Sequence, residues 1–500
     1  MKLKELIKDI KIIKANNGLT REISGIFYDS RKVIPESVFV AIKGNEADGH
    51  NYIQEAIEKG AKTIIFEKKG LVFPSGITQI LVEDSRKVLG EISAVFYQNP
   101  SLKMKVFGVT GTKGKTTVTY ILKKIFQQQG YKTGLIGTIN YQIGERILPS
   151  TNTTPESVDI QSMLSEMLEN NITHVIIEVS SHAIVQGRIS GIHFDCGIFT
   201  NIASHEHLDY HKNFKNYLNT KIIFFSKYLK ESKKEKKYAV INIDNRYGKI
   251  FIKNIYSSDI EILTYGINKK ADVFPENIQY FINGIKFFLD GKPYSTPLIG
   301  EINLYNTLSA VSVAKKEGIS GNKIKTALET LPVIPGRMEF IEQGQPFKVI
   351  IDFAHTHQAL AEILKIILKF REKGRIILVF GCGGKRDKSK RPLMGKIAVK
   401  MADIAILTSD NPRDEDELEI IKDIKKGISF WYRKKYQVFI DRKQAIKQAI
   451  NIAQKDDWVI IAGKGHETVQ IIKNVYQPFN DKEIAIQAIK EKINGKNTNK

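Results

Sequence analysis

The chain has 500 residues, of which 42% are apolar and 26% charged, an ordinary composition for a soluble globular protein. Its two cysteines exclude a disulfide framework, and the lack of a signal-peptide pattern or a long apolar run predicts a cytoplasmic protein without membrane insertion. The net charge of +22 would suit an acidic partner such as nucleic acid, but the lysines are spread over predicted helix surfaces, so no nucleic-acid partner is expected.

The length suggests about three domains. Residues 1–100 form the first in this interpretation, a small mixed α/β domain. It contains strand-like runs at 37–42 and 63–67 and a predicted helix over 51–59.

Residues 101–333 form the predicted central domain, in which strands and helices alternate. A short strand ending at Val109 leads into glycines and then a helix that stops at Gly130. Its apolar residues Val118, Ile121, Leu122 and Ile125 recur at helical spacing. Three later apolar runs predict the centre of a parallel sheet: HVIIEVSSH (174–182), FDCGIFTN (194–201) and YAVINID (238–244).

A proline-containing linker, LPVIPGRME, precedes a second strand–helix alternation over residues 334–492, which predicts a Rossmann-like C-terminal domain. Its strands are predicted within VIIDFAH, RIILVFGCGG, ADIAILTSD and DWVIIAGKGHE. Residues 493–500 are expected to be a flexible tail.

The run VFGVTGTKGKTT (106–117) has the order of a phosphate-binding loop, namely strand, glycines, lysine, hydroxyl and helix. Lys115 would neutralise phosphate charge and Thr116 would hold Mg²⁺. The usual pattern places glycine or alanine five positions before Gly114, where this chain has Val109. The alternative is a glycine-rich turn that binds no ligand.

Glu178 is a carboxylate at the end of an apolar strand, where burial is costly unless it binds a cation or a partner. A magnesium ligand is the functional interpretation, and a structural partner for a lysine is the alternative. The segment 201–211 adds His205, His207 and His211 to the upstream His182. Zinc would be the first guess from composition, but no Cys/His pair with finger spacing accompanies them.

The string TGTKGKTT resembles the ATP loop of the Mur ligases and folylpolyglutamate synthetases, and the resemblance to Mur ligases extends along nearly the whole chain. It implies an ATP-dependent carboxylate–amine ligase that works through an acyl phosphate with Mg²⁺. The catalytic residues it implies are Lys115, Glu178, His207, Lys221 and Arg337. The ATP-binding residues it implies are Gly111, Thr112, Gly114, Lys115, Thr116, Thr117, Asn303, Asn306, Arg337, Asp352 and His355.

The metal site implied by the resemblance consists of Thr116, Glu178, His207 and Lys221, the last as a carbamate. The residues alone make Lys221 an ordinary solvated helix lysine, so its functional role comes only from the resemblance. The chain departs from the family at His357 and Gln358, which replace a common Pro-Asp pair, and in the ASHE segment before His207.

The motifs YDSRKV, ADGHNYI, NTTPES and SSHAIVQGR resemble those of ligases that add the third stem residue to UDP-N-acetylmuramoyl-dipeptide. The implied contacts to that substrate are Ser30, His50, Thr153, Thr154, Ser180, Gln186 and Arg188.

The amino-acid substrate is indicated by SDNPRDED (409–416), which places Arg413 at a proline turn after a strand. A guanidinium binds a carboxylate bidentately, which suits the second carboxylate of meso-diaminopimelate and not the ammonium of L-lysine. The resemblance adds Arg386, Asp410, Asn411, Gly463 and Glu467 to this pocket. A lysine-adding ligase, a folylpolyglutamate synthetase and a basic nucleic-acid ATPase are the alternatives, and a monomer is expected.

Overall fold

The computed structural model describes residues 1–16, 18–44, 47–203, 206, 208–256 and 259–497. These residues form two compact units. The first comprises the chain up to Glu276 with Phe288–Tyr294 and Tyr305–Glu329, and the second comprises Asn277–Phe287, Ser295–Leu304 and the chain from Thr330 onward. Among the described residues, no helix has the length and hydropathy needed to span a bilayer.

The first unit begins with a five-stranded sheet in the order β1-β5-β4-β3-β2, in which only the pairing of β1 with β5 is antiparallel. Its strands are β1 (Ile12–Ala15), β2 (Ile26–Phe27), β3 (Val38–Val40), β4 (Thr63–Phe66) and β5 (Thr78–Val82). Its helices are α1 (Leu3–Leu6), α2 (Ile53–Glu58) and α3 (Ser85–Phe96). The predicted strands at 37–42 and 63–67 are confirmed as β3 and β4. The predicted helix over 51–59 starts as a 3₁₀ turn, Gly49–Tyr52, because Asp48 caps that turn.

The central sheet of the first unit has the order β13-β12-β11-β6-β10-β7-β8-β9. From β13 to β7 all neighbouring strands are parallel, and β8 and β9 add an antiparallel edge. Its strands are β6 (Lys105–Thr110), β7 (Thr133–Ile136), β8 (Asn140–Ile143), β9 (Arg146–Pro149), β10 (His174–Glu178), β11 (Cys196–Phe199), β12 (Lys237–Asn242) and β13 (Ile260–Tyr265). The predicted central strands are confirmed as β10, β11 and β12.

Helices flank this sheet, and they bury the apolar positions that the sequence pattern indicated. They are α4 (Lys115–Gln129), α5 (Ser157–Glu169), α6 (Ser181–Val185), α7 (Leu208–His211), α8 (Phe214–Ile223) and α9 (Gly248–Ile255), and α8 continues as a π-helical turn over Phe224–Leu229. In α4, Val118, Ile121, Leu122 and Ile125 are fully buried, and Gly130 ends the helix at a φ of 97°.

Strands β14 (Glu276–Phe281), β15 (Gly284–Leu289) and β16 (Lys292–Thr296) form a small three-stranded sheet, and helices α10 (Glu301–Lys316) and α11 (Gly321–Glu329) follow.

The second unit contains a six-stranded sheet in the order β17-β18-β22-β19-β20-β21, parallel except for the pairing of β17 with β18. Its strands are β17 (Glu339–Phe340), β18 (Lys348–Asp352), β19 (Ile376–Phe380), β20 (Ile404–Leu407), β21 (Tyr436–Val438) and β22 (Trp458–Ala462), and β23 (Val469–Ile472) and β24 (Val475–Pro478) form a hairpin. Its helices are α12 (His357–Phe370), α13 (Lys390–Met401), α14 (Glu417–Lys425), α15 (Arg442–Ile452) and α16 (Asp481–Asn497).

Helix α16 corrects the predicted tail, because residues 493–497 are helical. Ala485, Ala488 and Ile489 are buried on the sheet, and Ile493 packs against the same core, which extends the helix beyond the predicted end at 492. Residues 498–500 lie outside the described part of the chain.

Polar contacts join the N-terminal sheet region to the central one within the first unit. The Tyr28 hydroxyl donates to Asp159 at 2.8 Å, and the Arg86 guanidinium bonds both oxygens of Glu156 at 3.0 Å. The predicted fold class, a mixed N-terminal domain, a central parallel-sheet domain and a Rossmann-like C-terminal domain, is confirmed.

Candidate active site

The phosphate-binding loop connects the carboxyl end of β6 to the first turn of α4. Gly114 has a φ of 86°, and a Cβ there would overlap the Oδ1 of Asn306, so only glycine lets this loop approach Asn306. The Lys115 ammonium donates to the carbonyl oxygens of Gly111, at 2.9 Å, and Thr112, at 3.1 Å. The loop thus carries a cation beside the N-terminus of a 15-residue helix, two features that favour an anion.

Glu178 ends β10, the parallel neighbour of β6, and its side chain is fully buried. It accepts hydrogen bonds from the Thr116 hydroxyl at 3.1 Å and from the backbone N–H and hydroxyl of Thr138, at 2.8 and 2.9 Å. These bonds offset the cost of burying the carboxylate. The two predicted magnesium ligands, Thr116 and Glu178, therefore lie side by side, and in the described part of the chain Thr116 and Thr138, rather than a lysine, bond the Glu178 carboxylate.

Lys221 lies on α8 and is only 1% exposed, so the interpretation as a solvated helix lysine is wrong. Its ammonium donates to the Gly111 carbonyl at 3.0 Å, beneath the same loop that Lys115 crosses. Burial, and then the nearby charge of Lys115, hold the pKa of Lys221 well below its usual value. A neutral amine is the form of lysine that can react with carbon dioxide to give a carbamate.

The described residues include two of the four histidines considered as metal ligands, His182 and His211. His205 and His207 lie outside the described residues. The described part of the chain contains no group of three His, Cys, Asp or Glu side chains arranged to hold a metal ion. The Thr116 hydroxyl and the Glu178 carboxylate are nonetheless hard oxygen donors in contact, which fits Mg²⁺.

Thr153, Thr154, Ser180 and Arg188 gather next to Glu178. The Thr154 hydroxyl donates to the Glu178 carbonyl at 2.6 Å and accepts from the Ser180 N–H at 3.1 Å. Arg188 donates to the Thr154 carbonyl at 2.8 Å, and Thr153 Oγ1 lies 3.0 Å from Thr138 Oγ1. The structure thus brings together four of the residues that the resemblance assigned to the muramoyl substrate.

One acidic side chain, Glu156, and one amide side chain, Gln186, complete this region. Glu156 bridges Arg86 and Arg188, whose Nε lies 3.2 Å from its carboxylate. Gln186 donates to the Tyr210 hydroxyl at 3.1 Å, while its buried Oε1 has no hydrogen-bond partner in the described chain. A buried acceptor of this kind is unusual in a native protein and suits a ligand donor.

Ser30 and His50 are held by the protein itself. The Ser30 hydroxyl donates to Glu55 at 2.9 Å. His50 uses both ring nitrogens: Nδ1 lies 2.6 Å from Asp48, and Nε2 accepts from the Glu67 N–H at 3.2 Å. His50 therefore fixes the loop around it, and a direct contact of its ring nitrogens with UDP would require these bonds to break.

In the second unit, Arg337 precedes β17 and Asp352 lies at the carboxyl end of β18. Arg337 lies over the Phe353 ring at 5.1 Å, and Asp352 accepts the Met338 N–H at 2.7 Å. Burial raises the pKa of Asp352 to about 6, and the charge of Arg337 opposes that rise. His355 donates from Nδ1 to the Phe353 carbonyl at 2.9 Å, and Asn303 donates to the Ile299 carbonyl at 2.9 Å.

Arg386 and Arg413 form a pair of cations beside Gly383, where an added Cβ would lie 3.2 Å from Arg413 Nη1 and 3.7 Å from Arg386 Cγ. Arg413 has a φ of 54°, held by bonds from its N–H to the Ile471 carbonyl and from the Lys473 N–H to its own carbonyl. Its guanidinium donates to the Gly384 carbonyl at 2.8 Å. Burial, and then the charge of Arg386, lower the pKa of Arg413. Two guanidinium groups that repel each other without an anion favour a carboxylate ligand between them.

Asn411 and Glu467 are linked to a buried lysine that the sequence analysis did not identify. Asn411 Nδ2 donates to Glu467 at 2.8 Å. Lys464, fully buried, donates to Asn411 Oδ1 at 3.1 Å and to Glu467 at 2.8 Å. Lys464 therefore fixes the direction of both predicted pocket residues.

Asp410 and Gly463 lie in contact at the carboxyl ends of β20 and β22. Gly463 has a φ of 118°, and a Cβ there would overlap the Asp410 carboxylate. Arg442 stabilises these strand ends: it forms a buried bidentate pair with Asp481, at 2.8 and 2.7 Å, and donates to the Ala462 carbonyl at 3.0 Å.

Three family models match the chain: "Mur ligase family, catalytic domain" over residues 22–97, "Mur ligase middle domain" over 109–314, and "Mur ligase, glutamate ligase domain" over 336–465. UDP-N-acetylmuramoyl-L-alanyl-D-glutamate–2,6-diaminopimelate ligase 1 of Clostridium acetobutylicum is 43% identical, covering 98% of this chain and 100% of that protein. The chain belongs to the Mur ligase family. The corresponding ligase of Caldanaerobacter subterraneus is 44% identical, covering 98% of this chain and 99% of its own length.

Solved structures of Mur ligases share the fold. A UDP-N-acetylmuramoyl-L-alanyl-D-glutamate–2,6-diaminopimelate ligase superposes with a TM-score of 0.68 at 30% identity, covering 99% of both chains. A D-alanyl-D-alanine-adding ligase from Acinetobacter baumannii superposes with a TM-score of 0.64 at 17% identity, covering 98% of both chains.

Within this Mur ligase chain, the structure adds residues that motif comparison did not identify. Thr138, Glu156, Lys464 and Arg442 each hold a predicted site residue or its strand end in place. The positions of Glu156 and Lys464 within the quoted motifs NTTPES and AGKGHE were the only signals that could have found them.

Proposed function

We propose that this Mur ligase joins meso-2,6-diaminopimelate to UDP-N-acetylmuramoyl-L-alanyl-D-glutamate, using ATP. The proposal is supported by relatives named for that reaction at 43% and 44% identity over nearly the full length. The single observation that carries the choice of amino acid is the cationic pair of Arg386 and Arg413.

The amino-acid pocket would bind the carboxylate and ammonium groups of its substrate with residues of opposite charge. Arg413, with Arg386, would bind the carboxylate that diaminopimelate has at its far end. Glu467, 31% exposed at its side chain, would bind an ammonium group, as would Asp410 beside Gly463. L-lysine has an ammonium where diaminopimelate offers a carboxylate, so it would be repelled by the two guanidinium groups.

The nucleotide would bind to the loop Gly111–Thr117, with Lys115 against its phosphates. Thr116 and Glu178, with His207 and a carbamate on Lys221, would hold Mg²⁺, which when bound neutralises phosphate charge. Asn306 would support the loop at Gly114. Asn303, Arg337, Asp352 and His355 are the further nucleotide residues of this proposal.

The reaction would proceed in two displacements. A carboxylate oxygen of the muramoyl dipeptide attacks the γ-phosphorus of ATP, which forms an acyl phosphate and releases ADP. The amine of diaminopimelate then attacks the acyl carbon and loses a proton, and phosphate leaves. Lys115 and Arg337 would stabilise the negative charge that develops on the transferred phosphoryl group.

The muramoyl substrate would be held by Ser30, Thr153, Thr154, Ser180, Gln186 and Arg188. The unpartnered Oε1 of Gln186 would accept a donor from this ligand. We also propose that the enzyme acts in the cytoplasm as a monomer, where its nucleotide-linked substrate is available.

The test is ADP release measured with each substrate omitted in turn. The expected result is ADP formation only when ATP, Mg²⁺, the muramoyl dipeptide and diaminopimelate are all present, with L-lysine a poor replacement. ADP release that is indifferent to the dipeptide would contradict ligase activity, and equal rates with lysine would contradict the choice of amino acid alone.

A further inference from the structure

An exposed aromatic and basic turn lies directly before β21, the edge strand of the six-stranded sheet. It spans Phe430–Lys435, with the sequence FWYRKK, and none of its residues is buried. Phe430 is 63% exposed and Trp431 87%, whereas the other tryptophan, Trp458, is 2% exposed. Leaving two neighbouring large aromatic side chains in water is costly, which indicates a function.

The turn is a 3₁₀ helix, in which residues three apart lie on the same side. Arg433 accordingly covers the Phe430 ring at 4.2 Å, and Lys435 lies 5.7 Å from the Tyr432 ring. Two of the three aromatic residues of the turn therefore have a cation beside their ring.

The turn is anchored to the core rather than loosely attached. Ile428, Tyr432 and Tyr436 pack against the hydrophobic core of the second unit. This packing leaves Phe430 and Trp431 on the outward side, with ring centroids 6.0 Å apart and nearly perpendicular planes.

The turn itself carries three cations, Arg433, Lys434 and Lys435, and no carboxylate. Residues 422–436 contain six Lys or Arg residues and a single carboxylate, Asp423. That carboxylate is engaged by Arg391 at 3.0 Å and Lys426 at 2.6 Å, so it leaves the positive charge of the turn itself uncompensated.

We propose that this turn docks the protein reversibly onto an anionic lipid bilayer, with Phe430 and Trp431 in the interfacial layer and Arg433, Lys434 and Lys435 against the head groups. Aromatic rings prefer the depth of the lipid head groups, and adjacent basic residues are attracted to anionic lipids. A single-stranded nucleic acid fits less well, because it needs several aromatic platforms along a basic groove, and here one ring is already covered by Arg433.

Docking at this turn would leave the amino-acid pocket accessible. Strands β20 and β21 are parallel. Asp410–Arg413 follow the carboxyl end of β20, whereas Phe430–Lys435 precede the amino end of β21, so the two segments lie at opposite ends of this pair of parallel strands.

The first experiment is co-sedimentation of the full-length protein with vesicles of phosphatidylglycerol and phosphatidylcholine. Binding is expected with the mixed vesicles and not with pure phosphatidylcholine, and it should weaken as the salt concentration is raised. The pairs Phe430→Ser/Trp431→Ser and Arg433→Gln/Lys434→Gln should each weaken binding at least about tenfold.

A matched control is Lys249→Gln/Lys253→Gln, which removes the same charge from exposed positions on α9. It should bind vesicles like the parent protein. Equal loss of binding in this control, or no binding of the parent protein, would overturn the proposal. So would a parent protein that binds single-stranded oligonucleotides through this turn while ignoring the anionic vesicles.

Fluorescence gives an independent readout. The difference between the emission of the parent protein and that of Trp431→Phe isolates Trp431, and that difference should shift to shorter wavelength when anionic vesicles are added. An unshifted difference spectrum under conditions of vesicle binding would also overturn the proposal. Ligase activity without vesicles should be the same in all these variants, so the result is independent of the proposed reaction.

Discussion

The Nζ of Lys221 donates a hydrogen bond to the carbonyl oxygen of Gly111 at 3.0 Å, which places a buried amine directly under the phosphate-binding loop. Lys115 crosses the same loop and bonds the same carbonyl at 2.9 Å. Burial of the Lys221 amine is the main reason why its pKa is lowered, and the charge of Lys115 on the same carbonyl oxygen lowers it further.

Replacing Lys221 with Met should abolish ligase activity while maintaining or raising stability. The buried amine costs desolvation free energy that a thioether chain does not, so the free energy of unfolding should rise by about 1 kcal/mol. Because the folded-state pKa of Lys221 is lowered, its stability cost grows as the pH falls below about 10.5. The advantage of Lys221→Met in urea unfolding should therefore be larger at neutral than at alkaline pH.

The carbamate proposal has its own control. Lys221→Arg keeps a cation but cannot form the lysine carbamate, so it should be as inactive as Lys221→Met. A Lys221→Arg variant with parental activity would rule out a catalytic carbamate. Incubating the parent protein with ¹³C-bicarbonate should give a carbamate carbon signal that is missing from both variants.

Glu178→Gln should reduce the rate at least about a hundredfold, because it removes the carboxylate charge that would hold Mg²⁺. The amide retains an acceptor for the Thr138 N–H, so the thermal unfolding temperature should change little. Thr138→Val removes a bond at 2.9 Å but not the charge, and its loss should be closer to tenfold, or about 1.4 kcal/mol. Magnesium titrations of the rate should show a raised requirement in both variants.

Arg413→Ala should raise the KM for diaminopimelate at least about fiftyfold, since a charge-assisted carboxylate bond is lost. The KM for ATP should change little. Arg413→Lys should not restore the KM, because lysine lacks the bidentate geometry. An unchanged KM in Arg413→Ala would instead favour a lysine-adding enzyme.

Arg442→Ala should destabilise the second unit by about 3–5 kcal/mol, because it leaves the fully buried Asp481 carboxylate unpaired. The double variant Arg442→Met/Asp481→Leu should recover most of that loss, since it removes both buried charges. Urea unfolding measures both effects. A single variant as stable as the parent would show that the pair does not secure the strand ends.

The raised pKa of Asp352 predicts that the free energy of unfolding depends on pH. Its folded-state pKa of about 6 is above its ordinary value of 3.8, so its contribution is most favourable below pH 3.8 and is lost as the pH rises through 6. Asp352→Asn removes this loss, so its advantage in the free energy of unfolding should grow from near zero at acidic pH to about 3 kcal/mol at pH 7. Each unit of pKa difference changes the free energy of unfolding by about 1.4 kcal/mol, so the effect is large enough to measure. A difference between the variant and the parent protein that stays constant from pH 4 to pH 7 would contradict the raised pKa of Asp352.

Apolar patterns and glycine positions predicted the strands and helix of the phosphate-binding loop. Each central strand is a short continuous apolar run between turn residues, which local physics specifies well. The end of α16 was predicted poorly, because Ile493 packs on a distant part of the chain that a local pattern does not reveal.

The site residues that could be predicted are those that lie in recognisable motifs or match the family resemblance. Glu178 stood out as an acid in an apolar strand, and the structure places it beside Thr116. The burial of Lys221 could not be derived from the residues, because nothing local to α8 shows that a loop 110 residues earlier covers it. The role of Thr138 depends in the same way on pairing across the sheet.

Thr138 has a consequence for how substrates influence each other. It bonds the Glu178 carboxylate and lies 3.0 Å from the Thr153 hydroxyl, so one side chain connects the nucleotide loop to the region assigned to the dipeptide. A ligand that reorients the Glu178 carboxylate also changes the orientation of the Thr138 hydroxyl, and therefore the hydrogen bond between Thr138 and Thr153. By thermodynamic reciprocity, nucleotide and dipeptide should alter each other's affinity by the same factor, and that shared factor should approach one in Thr138→Val.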